Sequence, residues 1–148
     1  MQVASKQYEK LTGAQMLKKL FHMQLTSYMD IIEMSRKGVT KGMLVDFTNT
    51  FNFSMEECAD LLPITRRTIQ RYSSNHKFSP IISEQIIQLA LLMTKGSEVF
   101  GSREKFSRWF NSPSRALGGK VPRELASLKT GSQMVMDELG RIEHGVYS

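Results

Sequence analysis

The chain has 148 residues, with 20 Lys+Arg against 14 Asp+Glu and a formal net charge of +6. Its apolar content of 41% and charged content of 23% are those of a globular protein, too apolar for a disordered tail, and the chain is too short for a large enzyme barrel or a doubly wound sheet. Cys58 is the single cysteine, which excludes a disulfide framework, a thiolate zinc site and a CxxC redox pair, and makes a reducing cytoplasm the expected compartment.

The longest apolar run, Leu89 to Met93, falls far short of the roughly 20 residues that span a bilayer. Met1 to Lys10 has no apolar stretch of the signal-peptide kind. No membrane partner is expected, and the positive balance favours an acidic one.

Apolar residues at three- and four-residue steps from Gln15 to Arg36 (Leu17, Leu20, Phe21, Leu25, Tyr28, Ile31, Ile32, Met34) predict one long helix or two short ones, closed at Gly38. Lys41 to Phe51 reads as the next helix, with Leu44, Phe47, Thr48 and Phe51 inward. Ser54 is a predicted N-cap, with Glu56 and Glu57 at the positive end of the dipole, and that helix ends near Leu62-Pro63. Thr65 caps a short helix carrying Arg66 to Tyr72, and Ser73 to Pro80 is a loop. Ser83 is expected to open a helix so apolar all round that it must be buried between other elements or in a dimer contact. Gly101-Ser102 breaks it, and Phe106, Trp109 and Phe110 form one face of a helix that stops before Pro113. Leu117-Gly118-Gly119 is a tight turn, Pro122 starts a further helix, and Thr130 with Gln133 has capping-box spacing for a last helix striped by Val135, Leu139 and Ile142. The fold is expected to be all-α, with about eight helices.

Met55 to Tyr72 has the pattern of a helix-turn-helix. Ala59 takes the small fifth position, Leu62 and Ile64 flank the turn, Cys58 and Leu61 are apolar surface on the first helix, and Ile69 and Tyr72 are the buried side of the second. Pro63 stands where a glycine is usual and cannot adopt its left-handed conformation, which leaves the turn geometry open. Arg66, Arg67, Gln70 and Arg71 point outward, with Thr65 and Thr68 at the helix start. Arginine pairs with guanine, glutamine with adenine and hydroxyls with phosphate. Between Asp60 and Glu84 the cations Arg66, Arg67, Arg71 and Lys77 meet no acid, which makes a phosphate-facing patch. The plainer reading is a short solvated helix with ordinary surface arginines.

The landmarks Phe100-Gly101, Trp109, Pro113, Leu117-Gly118-Gly119, Pro122 with Leu125, and Gly131 with Val135 resemble the toxin-binding domain of the Xre/MbcA/ParS antitoxin family. The ending Leu139-Gly140-Arg141-Ile142-Glu143-His144-Gly145-Val146-Tyr147-Ser148 is the most specific part of the likeness. Ser35-Arg36-Lys37-Gly38 and Arg66 to Tyr72 resemble the same family's Xre-type DNA-binding half. Ser114 departs from the usual Asn, and Ala126 and Leu128 from Leu and Thr, which bears on one helix cap near Leu125. The resemblance implies a type II toxin–antitoxin system. In it, a non-enzymatic antitoxin without a cofactor blocks the active-site entrance of a RES-domain, NAD-consuming toxin. The antitoxin's helix-turn-helix half represses its own operon, as a dimer or higher assembly.

On this reading Thr65, Arg66, Arg67, Thr68, Gln70 and Arg71 contact operator DNA, and Trp109, Gly118, Gly119, Arg141, Glu143, His144, Tyr147 and Ser148 contact the toxin, with Trp109 also a core candidate. A pocket that holds anionic NAD should be cationic, suited to Glu143 and a terminal carboxylate, while Gly145 lets the chain bend and Tyr147 anchors. The alternative is that Val146 and Tyr147 fold back as a plug on the last helix. The expected organisation is an N-terminal arm over 1–14, a helix-turn-helix and dimerisation region over 15–82, and a toxin-binding domain over 83–148. The competing function is a stand-alone transcriptional regulator whose C-terminal half only dimerises. His22, His76 and His144 lack metal-ligand spacing, and Gly118-Gly119-Lys120 lacks the upstream glycine of a phosphate loop.

Overall fold

The structure, a computed structural model, describes residues 11–145. Among the described residues are nine α-helices and one short 3-10 turn, and pairing between extended segments is confined to two isolated bridges. The fold is all-α, with a helix-turn-helix in its first half and a smaller set of helices after it. The chain divides into two compact units, one ending at Ala90 and one beginning at Leu91.

In the first unit, the spacing from Gln15 to Arg36 resolves into two helices. α1 (Gly13–Phe21) opens on a capping box between Thr12 and Gln15 and ends at His22, whose φ of 61° is left-handed. α2 (Tyr28–Lys37) opens on a second capping box, Ser27 with Asp30. A residue in the left-handed region cannot continue a right-handed helix, so the amphipathic stripe continues while the rod breaks. Of the expected arm, residues 1–10 lie outside the described residues, whereas Thr12, Gly13 and Ala14 are the cap and first turn of α1. Leu20, Phe21, Met34, Leu44, Phe47, Ile69, Ile86 and Ile87 are fully buried and form the core of this unit. Leu44, Phe47 and Thr48 reach it from α3 (Lys41–Thr50), as their spacing predicts.

α6 (Pro80–Phe100) opens at Pro80 rather than at Ser83. Pro80 takes the first helical position, where a missing N–H costs nothing, and the Ser79 hydroxyl accepts from the Ile82 N–H at 3.3 Å. Ser83 is instead a fully buried pin. Its hydroxyl accepts from the Val39 N–H at 2.9 Å and donates to the Phe78 carbonyl at 3.2 Å, while the Phe78 N–H donates to the Val39 carbonyl at 2.8 Å. Two connecting segments are thereby laid antiparallel. The Lys41 N–H reaches the His76 carbonyl at 3.0 Å and the Gly42 N–H reaches the Ser74 carbonyl at 2.9 Å. Gly38 is required where this strap begins: its φ is +96°, and an added Cβ would lie 3.1 Å from the Lys77 Cβ. The apolar residues of α6, from Ile86 to Met93, are mostly buried within the single chain, so they need no second copy to cover them.

The second unit holds the end of α6, then α7 (Arg103–Phe110), a 3-10 turn (Arg115–Leu117), α8 (Pro122–Leu125) and α9 (Lys129–Glu143). Phe106, Phe110, Val135 and Leu139 are its buried centre. Two backbone approaches are close enough to exclude any side chain. A Cβ on Gly96 would meet the Phe106 ring, and one on Gly131 would meet the Leu125 carbonyl. The Thr130–Gln133 capping box does not form. α9 begins two residues earlier, at Lys129, with Leu128 at its N-cap and no side-chain cap, and the Gln133 amide donates to Asp137 at 2.9 Å.

Replacing Ser83 by Ala leaves the buried Val39 N–H without its acceptor, at a cost of about 1–3 kcal/mol. Urea unfolding of Ser83→Ala is expected to show that loss with the helical signal of the native state retained. Wild-type stability would remove Ser83 from its role as the pin.

Candidate functional site

Two surfaces carry the candidate residues. The first is built on α4 (Met55–Asp60) and α5 (Arg66–Gln70). α4 opens on a capping box in which Ser54 and Glu57 satisfy each other's backbone N–H. Cys58 and Ala59 are buried where the helices meet, and Ile69 is fully buried from the other side. Burial pushes the Cys58 thiol up to about 12, so it stays a protonated, inert packing group at neutral pH. The turn closes without a left-handed residue: Asn52 and His22 are the described non-glycine residues with positive φ. Tight bonds from Leu61 N–H to the Cys58 carbonyl (3.0 Å) and from Leu62 N–H to the Ala59 carbonyl (3.1 Å) wind the chain out of α4. The exposed Pro63 then sits in a turn that no longer needs glycine.

Arg66, Arg67, Gln70 and Arg71 are all exposed, as their spacing predicts. Thr65 and Thr68 are engaged with each other. The Thr65 hydroxyl accepts from the Thr68 N–H at 3.1 Å and lies 2.8 Å from the Thr68 hydroxyl, so their first duty is to cap α5. Arg66 faces Glu56 of α4 at 3.5 Å, with side chains 53% and 72% exposed. A pair that open to water contributes about 0–1 kcal/mol and is readily exchanged for a phosphate. Arg67 and Arg71 have no ion pair among the described residues. The exit of α5 is held firmly: Lys41 Nζ donates to the Tyr72 carbonyl at 2.8 Å, and the Tyr72 ring stacks on His76 with centroids 3.5 Å apart.

The second surface lies on the unit that begins at Leu91. Trp109 is half-buried among Phe100 and Phe106, with ring centroids 5.4 Å and 6.2 Å away, so most of its indole is packing. Gly118 and Gly119 are exposed with φ of +69° and +80° and open space around both. They turn the chain so that the Gly119 N–H reaches the Ser114 carbonyl at 2.8 Å and the Ser114 N–H reaches the Lys120 carbonyl at 2.9 Å. The end of α9 is tied down by charge. Arg141 donates twice to one oxygen of the buried Glu138, from Nε at 3.0 Å and from Nη2 at 2.8 Å. Lys95 of α6 donates to both oxygens of Glu143, at 2.6 Å and 2.7 Å. His144 is exposed, 4.0 Å from Glu143, and Gly145 follows with φ +72°. Val146, Tyr147 and Ser148 lie outside the described residues, and with them both readings of the tail.

Sequence reasoning missed Lys95 and Glu138. Glu138 carries a readable signal, a carboxylate inside the apolar stripe with an arginine three residues on. Lys95 carries none, because 48 residues separate it from Glu143. It also missed Glu56 as the partner of Arg66, which lies just upstream of the acid-free stretch.

A helix-turn-helix with an open cationic face, followed by a helical unit whose last helix is charge-anchored, is the layout of a two-part helix-turn-helix protein. Residues 30–91 match the antitoxin Xre-like helix-turn-helix domain, and residues 95–145 match the antitoxin Xre/MbcA/ParS C-terminal toxin-binding domain. The chain is 31% identical over 102 residues to the antitoxin Xre of Photorhabdus laumondii subsp. laumondii, covering 66% of this chain and 69% of that protein. It is 33% identical over 85 residues to the antitoxin Xre of Yersinia enterocolitica, covering 57% of each. The chain thus spans a little over half the length of that relative. A chain in the crystal structure of the M. tuberculosis MbcT-MbcA toxin-antitoxin complex shares the fold at TM-score 0.55 and 18% identity, over 73% of this chain and 96% of its own. The chain belongs to the Xre antitoxin family.

The Lys95 ammonium holds the Glu143 carboxyl below the usual carboxylate range. A carboxyl with a depressed pKa pairs fully above its unfolded value and lets go as pH falls through the folded one. NMR titration is expected to place the Glu143 midpoint below that of an exposed glutamate and to raise it in Lys95→Gln. An ordinary midpoint in the wild type would break the tether.

Proposed function

We propose that the chain is the antitoxin of a type II toxin–antitoxin pair. It neutralises a RES-domain, NAD-consuming toxin by blocking its active site with the C-terminal unit. It also represses its own operon through the helix-turn-helix, working as a cytoplasmic homodimer within a larger complex and catalysing nothing itself. The observation that carries this reading is the match of residues 95–145 to a toxin-binding domain, nearly the whole of the unit that begins at Leu91. Support for DNA binding comes from Arg67 and Gln70, exposed on α5, and from Arg71, exposed at its C-cap.

The geometry refines the roles. Glu143 is engaged by Lys95 and Arg141 by Glu138, so these residues aim the chain as it leaves α9. His144, Tyr147 and Ser148 are the contacts offered to the toxin, with Gly145 allowing the bend. Trp109, Gly118 and Gly119 complete the set of toxin contacts on this reading.

A tagged full-length chain is expected to retain one stoichiometric protein from its host and to suppress that protein's NAD consumption. A chain ending at Gly145, which keeps the Lys95–Glu143 pair, should release it. If both chains recover DNA and no protein, the regulator reading replaces this one. Arg67→Ala with Arg71→Ala should abolish promoter binding in a mobility-shift assay and leave toxin neutralisation intact. Failure of both activities together would show that the two surfaces are misassigned.

A further inference from the structure

We propose that Arg36, Lys37 and Lys77 form a second phosphate-contacting surface, which grips the duplex backbone beside the groove read by α5. The proposal rests on the DNA-binding reading of the same unit and extends it to residues outside the helix-turn-helix. Arg36 and Lys37 end α2, and Lys77 lies in the loop after α5, 40 residues later in the chain. The strap brings Lys77 to the residues that follow α2. Thr40 and Lys77 are bridged antiparallel, and the Lys77 stem runs over Gly38, where an added Cβ would meet Lys77 Cβ at 3.1 Å and Cδ at 3.5 Å. The residue next to Gly38 is Lys37.

All three side chains are exposed and have no ion pair among the described residues. Glu33 stands one helical turn before Lys37 and is not paired with it. The helix dipole accounts for cations in the last turn of α2, but not for Lys77, which belongs to no helix. Lys41, the nearest further cation in sequence, is left out of the surface because it is half-buried and its ammonium is turned to the Tyr72 carbonyl. That same bond, with the Gly42–Ser74 bond at 2.9 Å, fixes the strap to the exit of α5. The three cations therefore move with the recognition helix rather than on an independent arm. Lysine binds phosphate as a point charge and reads no base, so the surface supplies affinity and register, while Arg67, Gln70 and Arg71 supply sequence preference.

The test measures binding of the full chain to a duplex from upstream of its own gene and to a scrambled duplex of equal length, across a salt series. Changing Arg36→Gln, Lys37→Gln and Lys77→Gln together is expected to lower the slope of log K against log salt by about 0.9 for each phosphate no longer neutralised. Both duplexes should weaken by the same factor, leaving their ratio unchanged, and the charge-preserving Arg36→Lys, Lys37→Arg and Lys77→Arg variant should restore the slope. A wild-type slope in the glutamine variant overturns the proposal. So does a slope that stays wild-type while capture of the toxin fails, which assigns these cations to a protein partner. If the wild-type chain binds neither duplex, the DNA-binding reading itself falls, and this surface falls with it.

Discussion

The hydroxyl of Ser83 closes a three-membered circuit with the backbones of Val39 and Phe78, and the helix-turn-helix half of the molecule is arranged around it. α5 has only five residues, too few to hold a fixed direction from its own hydrogen bonds. Its direction comes from its ends. Thr65 caps the start, and the end runs into a loop bonded to residues 38–42, which Ser83 fastens to α6. A buried polar group is costly unless paired, and here the pairing joins three segments far apart in the chain. The constraint is therefore both strong and specific to one arrangement.

Charge divides the surface residues into those already engaged and those still free. Arg141 covers the buried Glu138, Lys95 clasps Glu143 and Lys41 caps the exit of α5. These contacts set geometry. Arg67, Arg71, Arg36, Lys37 and Lys77 keep their full charge toward solvent. The +6 net charge is thus less informative than its distribution. In the second unit the close approaches at Gly96 and Gly131 do what Ser83 does in the first. They allow backbone and ring to meet at distances a larger residue would forbid.

Much of the fold was legible because its signals are local. N-caps at Ser54 and Thr65, the small Ala59 at the helix crossing, the inward stripe of Leu44, Phe47 and Thr48, and the turn at Gly118-Gly119 each depend on residues within one or two helical turns. The misread elements fail for a definable reason. Ser83 and Thr130 look like caps, since a hydroxyl before an apolar run is what a cap requires. In Ser83 the hydroxyl found one partner 44 residues away, the Val39 N–H, and α9 starts behind Leu128 without a side-chain cap. Between the two readings of Gln15 to Arg36, one long helix or two short ones, the pattern could not choose, because the amphipathic stripe runs on through the break at His22.

Sequence alone was sufficient for the all-α class, the helix-turn-helix, the exposed arginines of α5 and the family resemblance now carried by residues 30–91 and 95–145. Each of these depends on residue type at short fixed spacing. Only the tertiary structure decided which charges are free. It set Glu56 against Arg66, Lys95 against Glu143, and Lys77 against Gly38. Such pairs form between segments whose separation along the chain carries no periodicity. Whether a charge is available to a partner depends on what the fold has placed within a few ångströms of it.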